Sequence, residues 1–302
     1  MSENRKNLFD AKTQFILFSG TCLQGNGAFR HLNDLFFVLY TLVLKGVDRY
    51  QIFLAIDLSI LNKLDLKTQN KKIMLLGKEY TFLSFFETHI AAENFINVHL
   101  FNATFKRNDN DLVFFASGHG AVNGLAIEKQ IGETISYDFL TSDYFEEIAE
   151  NKNATFLFLS QCQAGAFHHL DTRKKICVVG ASEYQNSISI PVNLMLGHPS
   201  ISNLSFVDNI AINPFVFSFF LVMRNVEDAI KYNKNKNIIN VFKYIATSTI
   251  QFVSNLYQYK RVIITKEFID SDSKKLEYTI ENLVMQQPFL LNKILASETF
   301  LD

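Results

Sequence analysis

Five short runs of this chain are apolar almost throughout rather than at alternate positions, and this limits what the chain can fold into more than any other feature. They are Phe15–Ser19, Gln51–Ile56, Asp111–Ala116, Thr155–Leu159 and Lys175–Val179. A strand with one face in water alternates apolar and polar residues, whereas a strand covered on both faces does not. Longer segments with helical character lie between them. Leu32–Leu44 is apolar enough for a mostly buried helix. In Ser142–Asn151, Phe145, Ile148 and Ala149 fall at helical spacing opposite Glu146, Glu147 and Glu150. Strand and helix in alternation predict an α/β fold with a mostly parallel central sheet and helices on both faces.

The remaining elements are read from weaker patterns. A helix is expected from Thr81 to Asn94, another from Pro214 to Met223, and a third around Ile238–Tyr257. A strand is expected at Arg261–Thr265 and a final helix after Ser271. The polar break Lys231–Asn237 suggests a domain at 1–230 and a C-terminal extension at 231–302, either regulatory or packed on the core.

Open parallel sheets carry their working residues just beyond the carboxyl ends of the strands. Two of these strands end in reactive side chains. Asp111–Ala116 runs into Ser117-Gly118-His119-Gly120, and Thr155–Leu159 runs into Ser160-Gln161-Cys162-Gln163-Ala164-Gly165. If the two strands are neighbours, His119 and Cys162 emerge side by side. An imidazole there can take the thiol proton and later protonate a leaving amine. Gly120 lets backbone approach a scissile carbonyl, and its N–H with that of Cys162 makes a candidate oxyanion site. A lone cysteine after an apolar strand is ordinarily a small core residue. It is the conjunction of the two turns that points to catalysis.

These turns resemble those of the cysteine-peptidase clan that holds caspases, legumains, gingipains and separases. The matching segments are Phe114-Phe115-Ala116-Ser117-Gly118-His119-Gly120 and Phe156-Leu157-Phe158-Leu159-Ser160-Gln161-Cys162. Caspases place the histidine some 50 residues before the cysteine; here it precedes by 43. Within the clan the chain is most similar to the legumain group, over roughly residues 14–220. Cys162-Gln163-Ala164-Gly165-Ala166 resembles the legumain Cys-Glu-Ser-Gly-Ser, and Gly25-Asn26-Gly27-Ala28-Phe29-Arg30-His31 resembles the loop that ends in Arg-His. Val178-Val179-Gly180-Ala181-Ser182 is similar to the family's Thr-Thr-Ala-Ala segment.

The resemblance implies a caspase-like sandwich and a cysteine endopeptidase acting on a protein or peptide substrate, with no cofactor or metal. His119 and Cys162 would be its dyad, and Arg30 would line the specificity pocket with Ser160, Ser182 and Glu183 as further substrate contacts. The alternative is an inactive caspase-like scaffold that binds a partner. The sequence also departs from the legumain pattern. Gly118 stands where legumains have Asp, Ala28 stands where their histidine-orienting Asn falls, and Ser160 stands where they have Glu.

Composition restricts the other classes. Lys and Arg number 29 against 30 Asp and Glu, which gives no reason to expect nucleic acid or an anionic membrane as partner. Three cysteines do not make a disulfide framework, and the apolar stretches fall short of a bilayer span. A cytoplasmic protein is expected, with a regulatory protein partner for the C-terminal part as a further expectation. Cys177 reads as inert core. Cys22 reads as a loop thiol, with redox partnership to Cys162 as the functional alternative. His168 and His169 read as a solvated pair, and His198 as a loop residue.

Overall fold

The computed structural model describes residues 6–22, 28–62, 72–75, 77–101, 110–173, 175–183, 187, 190–191, 211–224, 237–263 and 287–301. Its centre is a seven-stranded sheet built from β1 (Gln14–Phe18), β2 (Ile52–Ile56), β3 (Phe95–Asn97), β4 (Leu112–Ala116), β8 (Thr155–Leu159), β9 (Ile176–Gly180) and β10 (Phe289–Leu291). Between β4 and β8 a smaller antiparallel sheet is formed by β5 (Gly120–Ala121), β6 (Gly124–Ile131) and β7 (Thr134–Leu140). The large sheet runs in the order β10-β9-β8-β4-β1-β2-β3, and every pairing is parallel except that of β10 with β9. All five runs recognised in the sequence are strands of this sheet.

Burial on both faces explains the continuous apolar runs. Phe15, Leu17, Val113, Phe115, Phe156 and Phe158 face one core. There they meet α1 (Ala28–Leu44) and α4 (Pro214–Arg224), through residues such as Leu35, Phe36, Phe217 and Phe219. Ile16, Phe18, Leu112, Phe114, Leu157 and Leu159 face the other core, covered by Phe145 and Ile148 of α3 (Ser142–Glu150) and by Phe167 and Leu170. Each fully buried aromatic or aliphatic side chain contributes roughly 1.5–3 kcal/mol from removal of its surface from water. The fold therefore rests on these two layers.

Several weaker expectations change. The helix expected over Thr81–Asn94 is α2 (Phe82–His89), opened by a reciprocal cap between Thr81 and Ser84. Ile90 then becomes extended and Asn94 turns inward, its side-chain amide donating to the carbonyls of Tyr50 and Ile52. This turn starts β3, which the helical reading had hidden. The strand expected at Arg261–Thr265 is replaced at 261–263 by the end of α5 (Ile238–Ile263). The segment after Ser271 lies outside the described residues until 287, where β10 and α6 (Lys293–Glu298) follow.

The described C-terminal elements pack on the rest of the fold. β10 extends the sheet beside β9, α5 packs on α4, and Thr299–Phe300 pairs with Lys6–Asn7. Among the described residues no helix is long and apolar enough to cross a membrane.

Candidate active site

β4 and β8 are adjacent and in register, Ala116 opposite Leu159. One step beyond, the Ser160 N–H and hydroxyl both donate to the Ala116 carbonyl at 2.9 Å. The two chains then leave the sheet together, as the sequence predicts, one carrying Gly118-His119-Gly120 and the other Gln161-Cys162. Gly120 is where they touch. A Cβ there would collide with the Cys162 carbonyl oxygen and the Gln161 side chain, so only glycine allows this approach. Directly after the nucleophile candidate, Gln163 adopts the left-handed conformation, φ 51° and ψ 39°, an uncommon state for a residue with a side chain. The sharp reversal it makes turns the chain away from the sheet at Cys162.

The Cys162 sulfur is partly buried. It accepts a hydrogen bond from the Ser187 N–H at 3.2 Å and lies 3.4 Å from the Ser187 carbonyl oxygen. Burial pushes its thiol above the ordinary value, while the Ser187 contact and the charge of Arg30 work in the opposite direction. Burial is the larger effect, so the resting group is a thiol.

His119 is partly exposed. Its carbonyl accepts from the Ala126 N–H at 2.9 Å, which ties it to β6. Its ring meets that of His31 edge-on at 5.4 Å, and its Nε2 lies 3.6 Å from Oε1 of Glu128. Glu128 is only 2 % exposed, and its Oε2 accepts from the Cys22 N–H at 3.0 Å.

A buried polar network underlies these groups. Nδ1 of His31 is 2.9 Å from the Ser117 hydroxyl, which donates to Oδ2 of Asp34 at 2.6 Å. Oδ1 of Asp34 accepts from the Asn213 N–H at 2.7 Å. The Asn213 amide donates in turn to the Ser160 carbonyl and the Ser187 hydroxyl. Burial holds His31 well below its usual value, reinforced by the charge of Arg30, so its ring is neutral. Burial also raises Asp34 to about 7 against the hydrogen bonds that oppose it.

The expected substrate contacts separate into two groups. Arg30, on the first turn of α1, faces the site. Its Nε is 3.4 Å from Nε2 of His31, and its charge reaches Cys162. Ser160 instead spends its hydroxyl on Ala116, inside the sheet. Ser182 is buried, and its carbonyl accepts from the Ala164 N–H. Glu183 accepts from the Gly165 N–H through its carbonyl and pairs its side chain with His168 at 2.8 Å. Ser182 and Glu183 thus fasten the segment that follows β9 to the turn after Cys162. His168 is not a freely solvated residue, because it also stacks on Phe289 at 5.1 Å.

Cys22, expected as a loop thiol, is buried, and Cys177 is raised by burial within β9. The glycine loop at 25–27 and His198 lie outside the described residues. Among the described residues no cluster of three or more His, Cys, Asp or Glu could hold a metal ion.

Glu128, Asp34, Asn213 and Ser187 escaped the sequence reading. Each comes to the site from a different segment, and none carries a local motif. The one usable signal was Asp34 itself, the only acidic residue of α1 and flanked by core residues. No family model matches this chain, and no curated protein matches it.

Proposed function

We propose that the chain is a cysteine endopeptidase of the caspase/legumain type, with Cys162 as nucleophile and His119 as its proton carrier. One observation carries this reading: β4 and β8 are neighbours in register, and their turns touch at Gly120 and Cys162. In the proposed reaction the Cys162 sulfur attacks the scissile carbonyl as its proton passes to His119. Because burial favours the thiol, this proton leaves during attack rather than beforehand. The tetrahedral oxyanion is held by backbone N–H groups, with those of Gly120 and Cys162 as candidates. His119 then protonates the amine that departs, and water hydrolyses the thioester. Arg30 would favour an acidic or amide-bearing residue at the cleaved bond, since its planar guanidinium pairs with carboxylate and carbonyl oxygens.

A second reading is favoured by the Ser187 backbone, which occupies the sulfur. On that reading the chain is a caspase-like scaffold that binds a partner without turnover. A fluorogenic peptide library and an electrophilic thiol probe separate the two. Cys162→Ala and His119→Ala are each expected to abolish cleavage with the circular dichroism unchanged, and Cys162→Ala to abolish labelling. Cleavage that survives in either variant overturns the dyad. Absence of both cleavage and labelling in the unaltered protein favours the scaffold.

A further inference from the structure

Glu128 sits on β6, a strand of the hairpin that follows the histidine turn, yet it is buried beside the segment that leaves the carboxyl end of β1. Burying a carboxylate is expensive unless its oxygens are hydrogen-bonded or paired. Here the two oxygens have separate tasks. Oε2 accepts from the Cys22 N–H at 3.0 Å, and Oε1 lies 3.6 Å from Nε2 of His119.

The backbone around it is also fixed. The Glu128 N–H donates to the Gly20 carbonyl at 2.7 Å, and the Ala126 N–H donates to the His119 carbonyl at 2.9 Å. Gly20 allows this docking, because a Cβ there would overlap the Ala126 carbonyl. The same strand therefore grips both ends of the geometry, the backbone of His119 and the carboxylate facing its ring.

We propose that Glu128 is the positioning residue of the dyad, holding His119 with its proton on Nε2 and so keeping Nδ1 unprotonated to receive the Cys162 proton. This rests on the peptidase reading of the site. It also gives a physical account of how the chain manages with Ala28 where legumains orient their histidine with Asn. A carboxylate only accepts hydrogen bonds, so a neutral imidazole facing it keeps its proton on the nearer nitrogen. At 3.6 Å the two atoms lie just beyond hydrogen-bond range, a gap that a small movement of the ring would close, as catalytic contacts tighten once substrate is bound.

The isosteric variant Glu128→Gln separates positioning from packing. Its carbonyl oxygen still accepts from the Cys22 N–H, which leaves its NH2 facing His119 Nε2. The imidazole must then place its proton on Nδ1, the nitrogen that has to accept the thiol proton. Fill and backbone satisfaction survive while the tautomer is wrong. In another triad the equivalent loss of tautomer cost about 10⁴-fold in kcat.

Nitrogen-15 NMR of histidine-labelled protein reads the tautomer directly. The unaltered chain is expected to show His119 protonated at Nε2, and Glu128→Gln at Nδ1. Proton at Nδ1 in the unaltered chain overturns the proposal without any variant having to fold. With the cleaved peptide, Glu128→Gln is expected to lower kcat at least 100-fold with KM within about threefold, and Glu128→Asp to recover part of that loss. If Glu128→Gln keeps both kcat and the tautomer, the carboxylate is merely structural. Absence of any Cys162-dependent cleavage in the unaltered protein would instead count against the peptidase reading, and the NMR result would still decide the role of Glu128.

Discussion

Asp34 shows how far a single residue's environment departs from what its position in sequence suggests. It is one acid in a helix whose neighbours Leu32, Leu35, Phe36 and Phe37 are all core. Its carboxyl is raised to about 7, chiefly by burial. A carboxyl with a folded value above its unfolded one lends its full stability while protonated in both states, below about pH 4. That contribution is lost as pH rises through about 7. The span of about three pH units corresponds to something on the order of 4 kcal/mol. Asp34→Asn removes the titration. The stability difference between this variant and the unaltered chain should therefore shift in favour of Asn between pH 4 and pH 8, as read by urea midpoints across that range. A difference that stays flat with pH would show that Asp34 ionises in the fold as easily as in water. The proton order follows from the same contacts. Arg30 faces Nε2 of His31, so the His31 proton sits on Nδ1 and points to Ser117, which donates onward to Asp34. Asp34 and neutral His31 are thus one hydrogen-bonded unit beneath the dyad.

Among elements, the hairpin β6–β7 does most for the site and was the least visible in advance. Its docking depends on Gly20, where a Cβ would meet the Ala126 carbonyl backbone rather than a movable side chain. Gly20→Ala should cost roughly 1–3 kcal/mol, the usual range for overpacking. It should also lower Cys162 labelling by displacing Glu128 and His119 together. Thermal melting beside probe labelling checks both; a variant with normal labelling and a normal midpoint would show that the hairpin adjusts freely. The hairpin could have been read from Thr134-Ile135-Ser136-Tyr137-Asp138-Phe139-Leu140, where polar and apolar residues alternate, preceded by a two-residue turn with Gly132 at φ 63°. The five buried strands were legible because complete burial writes a continuous apolar run. His119 and Cys162 were legible because each follows such a run directly. β3 was not legible, since three residues are too few to show a period and Phe95 continues an apparently helical pattern. The polar network was not legible either. His31, Asp34, Ser117, Ser187 and Asn213 meet only through tertiary contacts, and no spacing in the chain records them.

At the scale of the whole molecule, the division at residue 230 drawn from the polar break becomes a question of mechanics. β10 closes the sheet edge on the side of Cys162, pairing Val178 with Leu291 and Gly180 with Phe289. The Phe289 ring lies over Gly180, where a Cβ would collide with it, and stacks on His168. His168 pairs with Glu183, whose carbonyl holds the Gly165 N–H in the turn after Cys162. A continuous set of contacts therefore joins the last elements of the chain to the nucleophile's turn. Beyond β10, Asn292 caps α6 and donates to the Ile176 carbonyl, while Leu291, Ala296, Thr299 and Leu301 are buried. A separable appendage would leave the sheet complete without it. An integral one would leave an unpaired β9 edge and several exposed apolar side chains, each large-to-small loss of this kind costing about 2–5 kcal/mol when buried fully. Removing residues 287–302 is accordingly expected to lower the melting midpoint by well over 5 °C, or to leave the chain aggregated, and to reduce labelling of Cys162 in whatever folded protein remains. Phe289→Ala gives the milder version, keeping the strand while freeing His168 and the turn it supports. If the shortened chain melts at the original temperature and labels at the original rate, residues 287–302 are an appendage, and the turn after Cys162 stands without β10.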